Sequence, residues 1–234
     1  MSGGTLSILC AGAVQGLVRA LQAPFEAETG AALNLRFGAV GAMQEALRAG
    51  DACDVMIVTD AVVVALQASG ELAATARAPL GRVRTGVAVR SGEPRPDIAT
   101  PEALKAALLA SSAVLFPDPQ RATAGIHFAS VLERLGVRAA LEARLRTFPN
   151  GATAMRELAA SAPGAIGCTQ ISEILYTPGI VLVGALPDAF ELATVYTAGV
   201  PARAAEPALA QRFIERLAGP STRALRAEGG FEFD

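Results

Sequence analysis

At 234 residues the chain is long enough for a well-packed core, in one large domain or two small ones. Aromatics make up 5% and tryptophan is absent, so the core must rest on many small aliphatic contacts of the kind helices make on sheets. A net charge of −2 with acids and bases interspersed offers no broad basic face, which argues against nucleic acid as a partner, while a small anion needs only local positive potential.

Cys10, Cys53 and Cys168 are far apart and form no CxxC or Cys/His cluster, so neither a disulfide framework, a zinc site nor any cofactor is expected. No charge-free stretch reaches membrane-spanning length, and no membrane insertion is expected. The opening MSGGTLSILCAGAVQG lacks a basic region ahead of a long apolar core. The corresponding expectation is a cytoplasmic protein as the sequence stands, or a periplasmic one if a leader has been removed.

Thr5 to Cys10 reads as a strand, and Val14, Leu17, Val18, Leu21 and Phe25 follow at helical spacing up to a Gly30 cap. Leu33 to Phe37 alternates as a second strand, Gly38 to Ala42 is a turn, and Met43, Ala46 and Leu47 mark a helix closed by Gly50. The near-continuous apolar run Asp54 to Thr59 fits a strand buried on both faces, and Ala61 to Ser69 is the next helix. Three successive β-then-α units predict a parallel sheet with right-handed crossovers, whose ligands lie beyond the strands' carboxyl ends. Those ends are Cys10 to Gly12, Gly38 to Gly41, and Thr59 with Asp60.

Leu80 to Arg90 is a long alternating strand able to carry the chain between domains, and Thr100 with Pro101 opens a helix to about Ala110. A second series follows with strand Val114 to Phe116, a helix to about Gly136, helical residues Ala139 to Leu145, a helix opened by Gly151, and strand Ala165 to Thr169. Ile180 to Gly184 is a further strand and Leu192 to Val200 a second long crossing strand. The tail reads as two helices broken at Gly219 and Pro220, returning to pack on the first domain.

Within this order, Leu115 to Phe128 (LFPDPQRATAGIHF) stands out as a strand running through a proline-punctuated loop into a helix. Its small residues allow a ligand to approach the N–H groups and positive dipole end of the first turn. Arg121 stands at the mouth, Thr123 is a candidate cap, Ala124 and Gly125 lie in the first turn, and His127 is the sole histidine.

The stretches LCAGAVQGLVRALQAPFEAETG, LRAGDACDVMIVTD, FPDPQRATAGIHFASVLERLG and RFIERLAGPSTRALRAEGGFEF resemble the type II periplasmic-binding-protein fold, in particular the molybdate-binding proteins of ABC importers. The resemblance implies an α/β protein of two doubly wound lobes, residues 1–82 with 195–234 and residues 83–194, joined by two crossing segments with a small anion held in the cleft. An ABC permease is the implied partner if the protein is exported. In that family two serines and a tyrosine bind the oxyanion beside backbone N–H groups. Their positions here are Ala13, Ala39 or Val40, and Gln170, so all three hydroxyls are missing. Ala124 and the neighbourhood of Thr153 match backbone-donor positions.

Alanine and valine at those positions enlarge the site, and Thr153, Thr169, Gln170, Arg121 and His127 could supply polar contacts, which fits a small carboxylate better than a tetrahedral oxyanion. The family also resembles aconitate isomerase, an enzyme on this scaffold that shifts a double bond by proton transfer. That alternative needs a base, for which His127 and Asp60 are candidates, and helix starts at Gly12 and Gly125 as donors to a developing enolate-like oxygen. Cys10 and Cys168, near strand ends, are further conceivable bases, more readily explained as small buried residues.

Overall fold

The computed structural model describes residues 4–233. Its elements, in chain order, are β1 (Thr5–Ala11), α1 (Gln15–Thr29), β2 (Ala32–Gly38), α2 (Val40–Arg48), β3 (Val55–Thr59), α3 (Asp60–Ala68) and β4 (Leu72–Arg90). There follow α4 (Pro101–Ala110), β5 (Val114–Pro117), α5 (Thr123–Arg134), α6 (Arg138–Leu141), β6 (Leu145–Phe148), α7 (Gly151–Ala159), β7 (Ile166–Gln170) and α8 (Ile171–Tyr176). The chain ends with β8 (Ile180–Ala185), β9 (Ala193–Pro201), α9 (Pro207–Ala218) and α10 (Arg223–Glu228). It divides into two compact units, one running to Val83 and resuming at Thr194, the other Arg84–Ala193. The boundaries fall inside β4 and β9.

In the first unit the strand order is β2-β1-β3-β9-β4. Strands β1, β2 and β3 are parallel, Cys10 pairing with Phe37 and with Ile57, whereas β9 runs antiparallel beside β3. The tail packs here: Phe213 of α9 meets Phe25 of α1 edge-to-face at 4.9 Å between ring centroids, and both rings are buried. Burying each ring contributes roughly 1.5–3 kcal/mol. The edge-to-face contact adds about 1 kcal/mol. Arg226 of α10 is also buried, donating to the carbonyls of Leu80 at 2.7 Å and Ala218 at 2.8 Å, which ties the tail to β4. Asp54 closes the other end, its carboxylate accepting the N–H groups of Ser7, Ala205 and Glu206.

The second unit repeats the arrangement without repeating the sequence. Its order is β6-β5-β7-β4-β8, with β5 parallel to both neighbours and β4 antiparallel to β7 and β8. Alternation sorts its side chains onto two faces. Val87, Val89, Val114 and Phe116 pack with Phe128 and Leu132 on one, while Ala88 and Leu115 pack with Met155, Leu158 and Ile174 on the other. Each unit thus has its first strand between its second and third, the topology that opens a crevice at the strands' carboxyl ends.

Three expectations require correction. Strand β4 begins at Leu72 rather than Leu80, because sheet pairing recruits a stretch with Pro79 and no clear alternation. The expected helical stretch from Ala139 to Leu145 is α6 continued by a 3-10 turn over Glu142–Arg144, but Leu145 already belongs to β6 beside β5, a four-residue strand too short to show a period. Helix α8, directly after Gln170, has only six residues and was not anticipated.

Candidate functional site

Two helix starts of the second unit lie beyond adjacent parallel strands. Strand β5 ends at Pro117, and the loop after it is shaped by Asp118, whose carboxylate accepts the N–H groups of Gln120 at 2.7 Å and Arg121 at 3.2 Å. The Asp118 N–H reaches the Phe148 carbonyl at 2.7 Å, fastening this loop to the end of β6. The first helical bond of α5 runs from Ile126 N–H to Ala122 O at 2.9 Å, so the N–H groups of Thr123, Ala124 and Gly125 precede it. Ala122 is the N-cap and supplies no side-chain acceptor. Thr123 is the first helical residue and not the cap, because the loop brings Ala122 to that position in extended conformation. A Cβ on Gly125 would stand 2.2 Å from the Asp118 carbonyl oxygen and 2.3 Å from that of Pro117, so the close approach of helix and loop requires glycine. Arg121 is exposed on this loop.

The start of α7 is satisfied from within. Asn150 caps it, accepting the Thr153 N–H at 2.8 Å, and the Thr153 hydroxyl accepts from Arg156 at 3.1 Å. Beneath it lies Glu173 of α8, a buried carboxyl that accepts the Thr169 hydroxyl at 2.5 Å. Burial pushes its pKa up to about 7, against the opposing pull of the Thr169 hydroxyl and of the N–H groups of Ala152, Gln170 and Gly151, which favour the ionised form. A Cβ on Gly151 would fall 2.0 Å from Glu173 Oε2 and 2.1 Å from Thr169 Oγ1. The carboxylate therefore sits against the helix start itself.

In the first unit, Gly12 and Ala13 form a buried 3-10 turn after β1, while Ala39 and Val40, both buried, open α2 without a side-chain cap. Asp60 opens α3 as its first residue, with Thr59 at the cap position. Its carboxylate accepts the Thr197 hydroxyl at 2.8 Å and lies 3.6 Å from Arg77, which anchors it to β9.

Each unit gathers its own predicted residues at one edge: Gly12, Ala13, Ala39, Val40 and Asp60 in the first, and Arg121, Thr123, Ala124, Gly125, Thr153 and Gln170 in the second. The expected roles change. The N–H of Thr153 belongs to Asn150, the Thr169 hydroxyl to Glu173, and Gln170 is buried. The ring of His127 lies further along α5, its Nε2 2.8 Å from the Phe190 carbonyl oxygen, so it braces the helix against residues 188–190. Cys10 and Cys168 are buried and desolvation raises their thiol pKa well above the ordinary value, which removes them as thiolate bases.

Glu173 was missed by sequence reasoning. Its signal was a lone acid in the apolar run ISEIL directly after a strand. Among the described residues no group of His, Cys, Asp and Glu could hold a metal ion, and no helix is long and apolar enough to cross a membrane.

Two α/β units with this switched strand order, joined through two shared strands, define the type II periplasmic-binding-protein class. Residues 6–232 match the family described as bacterial extracellular solute-binding protein, and the chain belongs to that family. It is 26% identical to an aconitate isomerase from Pseudomonas sp over 97% of this chain and 87% of the relative. Among solved structures it is similar to the Azotobacter vinelandii periplasmic molybdate-binding protein, with a TM-score of 0.79, 20% identity and coverage of 98% and 99% of the two chains. It is similar also to a sulfate-binding protein from Mycobacterium tuberculosis H37Rv, with a TM-score of 0.75, 16% identity and coverage of 97% and 86%. At these identities the structural likeness speaks for the fold.

Proposed function

We propose that the protein is a solute-binding protein for a small carboxylate-bearing anion, received at the start of α5, which has no side-chain cap. The observation that carries this reading is the start of α5, where three first-turn N–H groups meet no capping side chain and Gly125 keeps the helix tight over its loop. A carboxylate is favoured over molybdate or sulfate because Ala13, Ala39 and Val40 offer no hydroxyl and Gln170 is buried. Each missing charge-assisted hydrogen bond costs a hydrated divalent oxyanion about 1.5–3 kcal/mol. As an exported receptor it would hand its ligand to an ABC permease.

A second reading, isomerisation of an unsaturated di- or tricarboxylate, is supported by the relationship to the Pseudomonas aconitate isomerase and by Glu173. In that reading Glu173, whose pKa burial pushes up to about 7, is the candidate base, because His127 is engaged with the Phe190 carbonyl and Asp60 with Thr197 and Arg77. The test is a thermal-shift screen against molybdate, sulfate, citrate and the cis- and trans-aconitates, because a ligand that binds the native state alone raises the melting temperature. Stabilisation by molybdate or sulfate alone overturns the carboxylate reading. Exchange of a bound carboxylate's protons in deuterated water would identify an isomerase, and binding without exchange a receptor.

A further inference from the structure

Helix α7 starts beside α5 and carries the same dipole, yet its first turn already faces a buried carboxyl. We propose that Glu173 is a resident anion that closes the start of α7 to ligands, making it a specificity-determining residue that leaves a solute's negative group the start of α5 in this unit. The inference deepens the anion-binding reading and rests on it for the role of α5. Three observations on the chain's own atoms support it. Glu173 is 5% exposed; its Oε2 occupies space that a Cβ on Gly151 would need; and the N–H groups of Gly151 and Ala152, the donors an external anion would use, favour its charged form. A free carboxylate could reach those donors only by displacing this one.

Among the described residues, burial and hydrogen bonds, and no neighbouring charge, account for the shift of Glu173. Helix α7 carries Arg156 and Glu157, both exposed, with Arg156 turned to Thr153. Strand β7 contributes the buried Cys168, α8 the exposed Tyr176, and β8 no titratable residue. On β4, Arg90 is held by the Ser161 carbonyl and Glu93 at the far end from Thr85, which pairs with Gln170; Arg84 precedes Thr85 and borders a 580 Å³ cavity lined by residues 95–101 and 183–189. The pKa of Glu173 is set by burial and hydrogen bonds.

Chemical rescue tests the inference without knowledge of the natural ligand. Glu173→Ala removes the resident carboxylate and leaves its space and donors. Formate at about 100 mM should raise the melting temperature of this variant by a few degrees, saturably, and leave the wild type and Glu173→Gln unchanged. Equal shifts in all three proteins, or no shift in a folded Glu173→Ala, would overturn it. Should Glu173→Ala fail to fold, recovery of native circular dichroism on adding formate, and not on adding chloride at equal ionic strength, supports the inference, and no recovery overturns it. Failure of every carboxylate to bind the wild type would count against the function proposed above, whereas formate rescue would still stand or fall on Glu173.

Discussion

Helices α5 and α7 begin beyond neighbouring strands of one sheet, and they treat the same physical problem in opposite ways. Each presents first-turn N–H groups with no partner inside the helix and a positive dipole end. Helix α7 answers with Asn150 as cap and Glu173 as a buried carboxyl, while α5 has Ala122 at its cap position. The difference teaches that one chain can spend a helix start on its own carboxyl and leave the neighbouring start without a side-chain acceptor.

The largest effects should come from the two glycines that allow these arrangements. Gly151→Ala would drive a methyl into Glu173 and Thr169, and Gly125→Ala would drive one into two backbone carbonyls. Each should cost roughly 3 kcal/mol in urea unfolding through overpacking and lost hydrogen bonds. The contrast sharpens in the double variant: removing Glu173 should relieve much of the Gly151→Ala penalty and none of that at Gly125. Equal additivity at both sites would contradict the placement of the carboxylate.

Protonation offers the next largest effect. Folding raises the Glu173 pKa from 4.5 to about 7, so the native state binds a proton that the unfolded chain has lost between those values. Its contribution is fully present below about pH 4.5 and declines as pH rises to about 7, by a total on the order of 3 kcal/mol. Urea unfolding of the wild type against Glu173→Gln across that window should show the decline in the difference.

Smaller changes separate capping from binding. Asn150→Ala should cost about 1 kcal/mol of stability by uncapping α7. Arg121→Ala, on the exposed loop before α5, should weaken carboxylate binding several-fold with little change in unfolding; unchanged affinity would remove Arg121 from the site. His127→Ala should lose about 1 kcal/mol of stability through the Phe190 contact and leave anion affinity unaltered. A strong loss of affinity there would return His127 to the ligand.

Much of this architecture could be read along the chain. The apolar periods located β1, β2, β3, β5 and β7, and the pair Thr100–Pro101 opened α4 as expected, with the threonine side chain accepting the Ala103 N–H. The loop before α5 announced itself through Pro117, Pro119 and the small residues after them. Four residues of β6 and six of α8 were too short to carry a period, and with α8 unrecognised its buried acid had no visible context.

By itself the sequence determined where strands and helices alternate, because side-chain period and backbone-restricting residues act within a few positions of one another. Only the tertiary structure decided which polar groups are spent internally. Thr197 binds Asp60 across 137 positions, His127 meets Phe190 across 63, and Glu173 is set against the start of α7. Those outcomes depend on burial and on donors brought together by sheet order, and neither is a property of a residue's neighbours in the chain.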